Sequence, residues 1–454
     1  MSLRRFGGGD IVAVALLVSL AMAYGAVHSP LIAVGLLVAI VFAGWVVMRP
    51  DLVLLVVVAA LPWNDMLQYP TATLSLVKLL GLALVVAYFL HAVRQNDVIR
   101  LPAVLGFALA FGLVIGLSLI ASPEPSAGLQ KAFRYVFFIL FLFLLIQMID
   151  DRQQAIRLLR VLVLASATAA FYGSLQFVTG AVERAAGPIA DANDFAYMMA
   201  AVLPFALFLC VEDRRWRPVW VLSTLLLLGA TFATLSRGAI IGLAALLLWA
   251  ILTRRIGVGG TLAVVVAAVL VVAAAFTFWA STVEQRLNEK NKIAAANTES
   301  RAAFWAAGEE MWEDHPFLGV GPGRFGIEAK NYIKNSPIAL EDPVVHNSYL
   351  EILVEAGPLA LLLFLGMLAA GWMGATRAAR LARSRQDQTT VRLATAAKGS
   401  LLVAIISGFF LSEQVAPPFW IACALVGSGA LYVARERKER VGGESSSPAL
   451  AGAA

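Results

Sequence analysis

Leu101 to Ala121 reads LPAVLGFALAFGLVIGLSLIA, a run without one charged side chain. As a helix it is about 30 Å long, which is the thickness of a bilayer's hydrocarbon core. Similar apolar stretches recur near 10–26, 30–48, 51–67, 72–92, 130–149, 155–178, 192–211, 217–235, 238–253, 258–280, 348–374, 396–412 and 417–434. That makes about fourteen, with 51–67 and 238–253 the weakest. Composition agrees: 60% of the 454 residues are hydrophobic and 14% charged, with a mean hydropathy of +0.81. Lipid offers backbone groups no hydrogen-bond partner, so the spans must be helices. The expected fold is an all-α polytopic membrane protein of twelve to fourteen transmembrane helices. The first stretch follows Arg4 and Arg5 without a small-residue cleavage site and is expected to stay as an anchor.

The net charge of +6 is unevenly spread. Alternating the spans from a cytoplasmic N-terminus puts about two thirds of the 35 Lys and Arg on one side, including the Arg377–Lys398 cluster and the Arg435–Arg440 tail. The short outer loops are nearly free of them, the asymmetry of the positive-inside rule. Both termini are then cytoplasmic, and the charge points to membrane topology rather than nucleic acid. Cys210 and Cys423 fall within spans, and no metal-ligand spacing exists. The organisation expected is an N-terminal bundle over 1–280, a polar outer loop domain over 281–345, C-terminal spans over 346–440 and a small-residue, disordered tail over 441–454. No internal repeat is visible, against an inverted-repeat transporter.

The outer loop domain is where chemistry would sit. Thr298 is a good N-cap for a helix over 299–314, with Phe304, Trp305, Gly308, Met311 and Trp312 on one face and Glu309, Glu310 and Glu313 on another. His315-Pro316 stops it, a glycine-rich turn follows, and 327–334 is a second helical segment. Asp342-Pro343 would start the helix that re-enters the membrane, putting His346 in its first turn. A histidine there can serve as a base near neutral pH, or simply anchor the interface. Asn347, Glu351 and Glu355 recur four residues apart as a polar stripe descending into an apolar span. Such carboxylates must face a wet cavity or pair with a cation, an arginine being the plain expectation. Arg237, pinned in the short junction Thr234–Ala239, suits a phosphate or pyrophosphate, or else snorkels to the interface. Gly238 and Gly242 would let a neighbouring helix approach. Arg301 could add a second guanidinium beside the exposed amides of a helix start. Arg324, Lys330, Lys334, Lys131, Arg134 and Arg184 are weaker phosphate or glycan contacts. Asp191 caps a helix, and Asn193 and Asp194 lie beside it. Gly319–Gly323 is not a nucleotide loop, because it lacks a preceding strand and a Lys-Ser/Thr ending.

Taken together, the Ser-Arg-Gly-Ala junction at 236–239, His-Pro-Phe-Leu-Gly-Val-Gly-Pro-Gly at 315–323 and His-Asn-Ser-Tyr-Leu-Glu-Ile-Leu-Val-Glu-Ala-Gly at 346–357 resemble the O-antigen ligase/polymerase superfamily. The specific likeness covers about 230–360. It implies a GT-C-like membrane glycosyltransferase in a bacterial inner membrane, metal-independent and without a cofactor. The donor would be a glycan on undecaprenyl pyrophosphate, and the acceptor lipid A–core or a second glycan. His346 would be the catalytic base, with Arg237 and Arg301 binding phosphate and Arg324, Asn347 and Glu351 as further substrate contacts. The family's helix number, about twelve, is below the fourteen stretches seen here.

A Wzy-type polymerase and a protein-glycosylating relative share these motifs, and no residue identifies the acceptor. A transporter would instead distribute ionisable groups along a mid-membrane path. A structural scaffold would leave the grouping of Arg237, Arg301 and His346 unexplained.

Overall fold

The structure, a computed structural model, describes residues 49–66, 76–95, 99–189, 191–254, 301–333, 344–412 and 414–428. Among these every regular element is helical. They are α1 (Pro50–Ala60), α2 (Leu76–Gln95), α3 (Ala103–Ala121), α4 (Pro125–Met148), α5 (Arg152–Val178), α6 (Ala192–Glu212), α7 (Arg217–Ala233) and α8 (Arg237–Leu252), then α9 (301–314), α10 (Phe325–Tyr332), α11 (Ser348–Ser384), α12 (Gln388–Ser407) and α13 (Pro417–Ser428). The chain is a multi-pass membrane protein. Among the described residues seven helices are long and apolar enough to cross a bilayer, and four shorter apolar ones accompany them. The expected spans near 10–26, 30–48 and 258–280, the cap at Thr298, Lys334, Asp342-Pro343 and the tail lie outside the described residues. Both weak spans are short: α1 gives way to a 3-10 turn at Leu61–Trp63 carrying Pro62, and α8 has 16 residues.

By packing the described residues form two compact units, one of 49–57 with 76–95 and one of 58–66 with 99–428. The first holds α2 and most of α1. In the second, α6 is central. Its side chains are buried nearly all round from Phe195 to Leu209, as expected of a helix apolar on every face. It packs on α5, α7, α8 and α12, while α11 packs on α3, α10 and α12. Peripheral helices turn large apolar side chains outward, among them Leu113, Ile120 and Phe133, which suits lipid contact.

The ends of this bundle differ in character. At one end Arg160 pairs with Asp213 (2.9 Å), Arg392 with Glu212 (3.1 Å) and Arg152 with Asp387 (2.7 Å). At the other, the 179–191 loop, the α7–α8 junction, the turn after α12 and the polar segments 301–333 and 344–347 meet. Ala185 N donates to Ala233 O (3.1 Å), and Ser348 N to Gly408 O (2.8 Å) and Leu411 O (3.0 Å).

The basic stretch 377–392, by sequence a solvated loop or a surface helix, is mostly helix. Ala and Arg favour helix, so α11 continues to Ser384, and only a turn at 385–387 separates it from α12. Lys398, the last residue of the basic cluster, sits inside α12. Its ammonium lies 4.1 Å from the ring centre of Trp372 and 5.9 Å from that of Trp249, which makes a charge at this depth tolerable.

Candidate functional site

His346 is not in a helix. The re-entering helix begins at Ser348, where Asn347 is the N-cap and its Oδ1 accepts from Tyr349 N (3.0 Å) and Leu350 N (3.1 Å). His346 precedes the cap with φ 49°, in the left-handed region that a residue with a Cβ enters at a cost of about 1 kcal/mol or more. The strain is held from both sides. Trp305 Nε1 donates to Val345 O at 2.9 Å, and Ser348 Oγ to Leu411 O at 2.8 Å. The expected first-turn position is thus overturned by the Asn347 cap, which forces extended backbone ahead of the helix.

A second left-handed residue, Leu235 (φ 55°), leads into Ser236-Arg237. Ser236 stands at the N-cap of α8 but its hydroxyl does not cap, so the first amides of α8 have no side-chain acceptor. Gly238 and Gly242 press against the turn after α12. A Cβ on Gly238 would lie 2.9 Å from Phe410 Cβ, and one on Gly242 2.6 Å from Ser407 Oγ. Arg237 itself remains exposed.

Arg184 is docked on the same junction. Its Nε donates to Thr234 O (2.8 Å) and an Nη to Asn193 Oδ1 (2.7 Å), while Asp191 caps α6 through Asn193 N and Asp194 N. Arg301, half-buried at the start of α9, completes the group. Burial, and then the charges of Arg237 and Arg184, hold its guanidinium below the ordinary arginine range, with Asp191 opposing weakly. Burial and then Arg301 likewise hold His346 below the ordinary 6.5, against Asp191 and Glu351. Arg184, Arg237, Arg301, Asp191 and His346 therefore share one electrostatic neighbourhood.

The polar segment is strapped to α11 by the glycine-rich turn. Pro358 has no N–H for Val354 O, and Gly357 (φ 82°, ψ 176°) breaks the helix there. The released carbonyls take new donors: Val320 N to Val354 O (2.9 Å) and Gly321 N to Glu355 O (3.0 Å). Ser118 Oγ lies 2.7 Å from both Leu318 O and Glu355 O. Gly319 is required by this contact, since a Cβ there would sit 2.3 Å from Val354 O. Above the strap, α9 and α10 close a small core of Phe304, Met311, Val320, Phe325, Val345 and Val354. The expected faces of α9 are the observed ones: Phe304, Gly308 and Met311 buried, Glu309, Glu310 and Glu313 exposed. The second helical segment starts at Phe325, two residues earlier than expected.

The remaining predicted residues lie apart from the arginine group's contacts. Glu351 and Glu355 are both buried on α11, and their partner is a lysine, not an arginine. Lys131 of α4 pairs with Glu351 and, at 2.7 Å, with Glu355. Gln414 Nε2 also donates to Glu351 Oε1 (3.0 Å) and Phe325 N to Glu355 Oε1 (3.4 Å). Arg324 is buried with its guanidinium on Glu124 (3.3 Å) and Glu328, so its charge is already met by carboxylates. Arg184 and Lys131 ranked low in the sequence. The available signal for Lys131 was the Glu351–Glu355 stripe, which demands a cation; none existed for Arg184 beyond the shortness of its loop. Among the described residues no three of His, Cys, Asp and Glu gather as a metal site.

A family model described as O-antigen ligase matches residues 222–365. The matched stretch runs from within α7 through Arg237, Arg301, the 315–323 strap and His346 to beyond the α11 break. No curated protein matches the chain. Over residues 222–365 the chain is thus similar to the O-antigen ligase family, which supports its resemblance to the O-antigen ligase/polymerase superfamily of glycosyltransferase-like membrane enzymes.

Proposed function

We propose that the protein transfers a glycan from undecaprenyl pyrophosphate to an acceptor hydroxyl at the periplasmic face of a bacterial inner membrane, ligating O-antigen to lipid A–core, with both termini cytoplasmic. One observation carries this: half-buried Arg184 and Arg301 act on the His346 imidazole and exposed Arg237 acts on Arg301, with Asp191 the weak counter-charge to them. Cations that repel one another through partly desolvated space are relieved by a multivalent anion, and a pyrophosphate is one. The uncapped start of α8 offers amides to the same anion.

In this reading His346, neutral at pH 7 because its pKa is depressed, takes the proton from the acceptor hydroxyl. The oxygen attacks the anomeric carbon as the bond to the pyrophosphate oxygen breaks, inverting that carbon. The leaving group departs with the electron pair, and Arg237, Arg301 and Arg184 meet the charge that develops on it. That cationic set makes a metal-independent route sufficient. A preorganised donor of this kind is worth about 10²–10³ in rate. Arg301→Ala is therefore expected to lower transfer by about 10²-fold, and Arg237→Ala, at an exposed site, by somewhat less, both at wild-type protein levels.

The test is transfer by purified protein in detergent, from an undecaprenyl-pyrophosphate oligosaccharide, with EDTA and no nucleotide. Product on lipid A–core supports ligation. A ladder from donor alone would make it a Wzy-type polymerase, and no product with either would overturn the reading. The pH profile adds a sign. A depressed His346 pKa leaves the base unprotonated at lower pH, so the acid limb of kcat/KM should fall below 6.5. Arg301→Ala removes the largest charge contribution and should shift that limb upward. Donor binding, which brings negative charge, should place the limb in kcat higher than in kcat/KM. An acid limb unmoved by Arg301→Ala would count against the shared neighbourhood.

A further inference from the structure

A cavity of about 410 Å³ opens between α4, α10 and the start of α11, within the roughly 300–1,000 Å³ range of small-molecule sites. Its wall includes Lys131, Lys330, Glu351 and Glu355, with Ile327 and Val344 at exposed positions. Val345, the residue before His346, also lines it. Two carboxylates and two ammonium groups leave it near neutral, unlike the arginine group. A pyrophosphate would meet both carboxylates there. A hydroxyl-rich neutral ligand would find donors and acceptors of both kinds.

Glu351 supplies this wall with a carboxylate acceptor. Glu351 is 6% exposed, and its Oε1 is taken by Lys131 and Gln414. Its Oε2 makes no hydrogen bond of ordinary geometry among the described residues, and the Ser412 hydroxyl is its one named neighbour. A buried carboxylate oxygen left unpaired costs free energy that a donor hydroxyl would recover.

Resting on the glycosyl-transfer reading, we infer that this cavity is the acceptor subsite, holding the neutral, hydroxyl-rich sugar end that presents its nucleophilic oxygen to His346. The arrangement separates the substrates by charge. Arginines take the anionic leaving group, and a charge-balanced cavity adjoining the base through Val345 takes the sugar. The residues that tell acceptors apart are then those of α10 and the 344–345 segment, Ile327, Lys330 and Val344.

Ile327 and Val344 are 49% and 39% exposed, so a larger side chain at either narrows the cavity without entering the core. The experiment measures binding of free core oligosaccharide, free repeat-unit oligosaccharide and inorganic pyrophosphate to the full chain in detergent. Wild type, Ile327→Trp and Val344→Trp are compared, with acceptor and donor KM measured in parallel. The expected result is oligosaccharide binding weakened at least tenfold in both variants and a matching rise in acceptor KM. Pyrophosphate affinity and donor KM should stay within twofold. Wild type that binds neither oligosaccharide, or binding that both variants leave unchanged, overturns the subsite. Wild type that binds oligosaccharide in this cavity yet transfers nothing overturns the proposed function and leaves the subsite standing.

Discussion

Replacing His346 with alanine is expected to lower glycan transfer by about 10²–10⁴-fold, the usual contribution of a positioned general base. Little else should change. His346 is half-buried, lies outside any helix and has its neighbours, not its own side chain, fixing the backbone: Trp305 holds Val345, and Leu411 holds Ser348. Alanine in the same left-handed conformation carries a similar strain, so stability should shift by no more than about 1 kcal/mol. The measurement is initial transfer rate beside a thermal melt on the same preparation. A rate within threefold of wild type would remove His346 from the chemistry. Partial rescue by added imidazole would identify the missing function as proton transfer, which an anchoring role could not mimic.

The second large effect is structural. Gly357→Ala should destabilise the protein by roughly 3–5 kcal/mol, the sum of a strained positive φ and an overpacked contact. Its φ is 82°, and a Cβ there would lie 1.9 Å from Phe317 O, which cannot withdraw because the strap is hydrogen-bonded on both sides of Val320. The strap joins α9 and α10 to the helix that follows His346. Loosening it should therefore cost transfer as well as stability, seen as faster thermal inactivation with lowered activity before inactivation. Gly116→Ala, in α3 where a Cβ would meet nothing within 4 Å, serves as the comparison and should be close to neutral. A Gly357→Ala protein as stable as wild type would mean that the break in α11 can close.

Much of this was legible in the chain because its causes are local or imposed by lipid. A helix must satisfy its own backbone in a membrane, so hydropathy alone located α3 to α8 and α11 to α13 to within a few residues, apart from the basic extension of α11 and the early start of α12. Helical period sorted α9 into its buried and exposed faces, and Asp191 was readable as a cap from its place before an apolar run. The start of α11 was misplaced for an equally local reason: Asp342-Pro343 and Asn347 are both good helix starts, and the tertiary contacts of Ser348 with the α12 turn select the second.

Partnerships across the chain were a different matter. Lys131 meets Glu351 and Glu355 more than two hundred residues away, Arg324 turns to Glu124, and Arg184 reaches Thr234. A charged side chain in an apolar span announces that it needs a partner, but nothing in its own neighbourhood says which. The sequence by itself determined that this is a helical membrane protein with a polar segment at one end, and which residue types there could carry chemistry. Only the tertiary structure decided that the glycine run is a strap rather than a ligand loop, that Arg324 is spent on carboxylates, and that a third arginine joins the first two. The reason is that periodicity is a property of neighbours along the chain, whereas charge pairing and backbone breaks are resolved by whatever packing brings alongside.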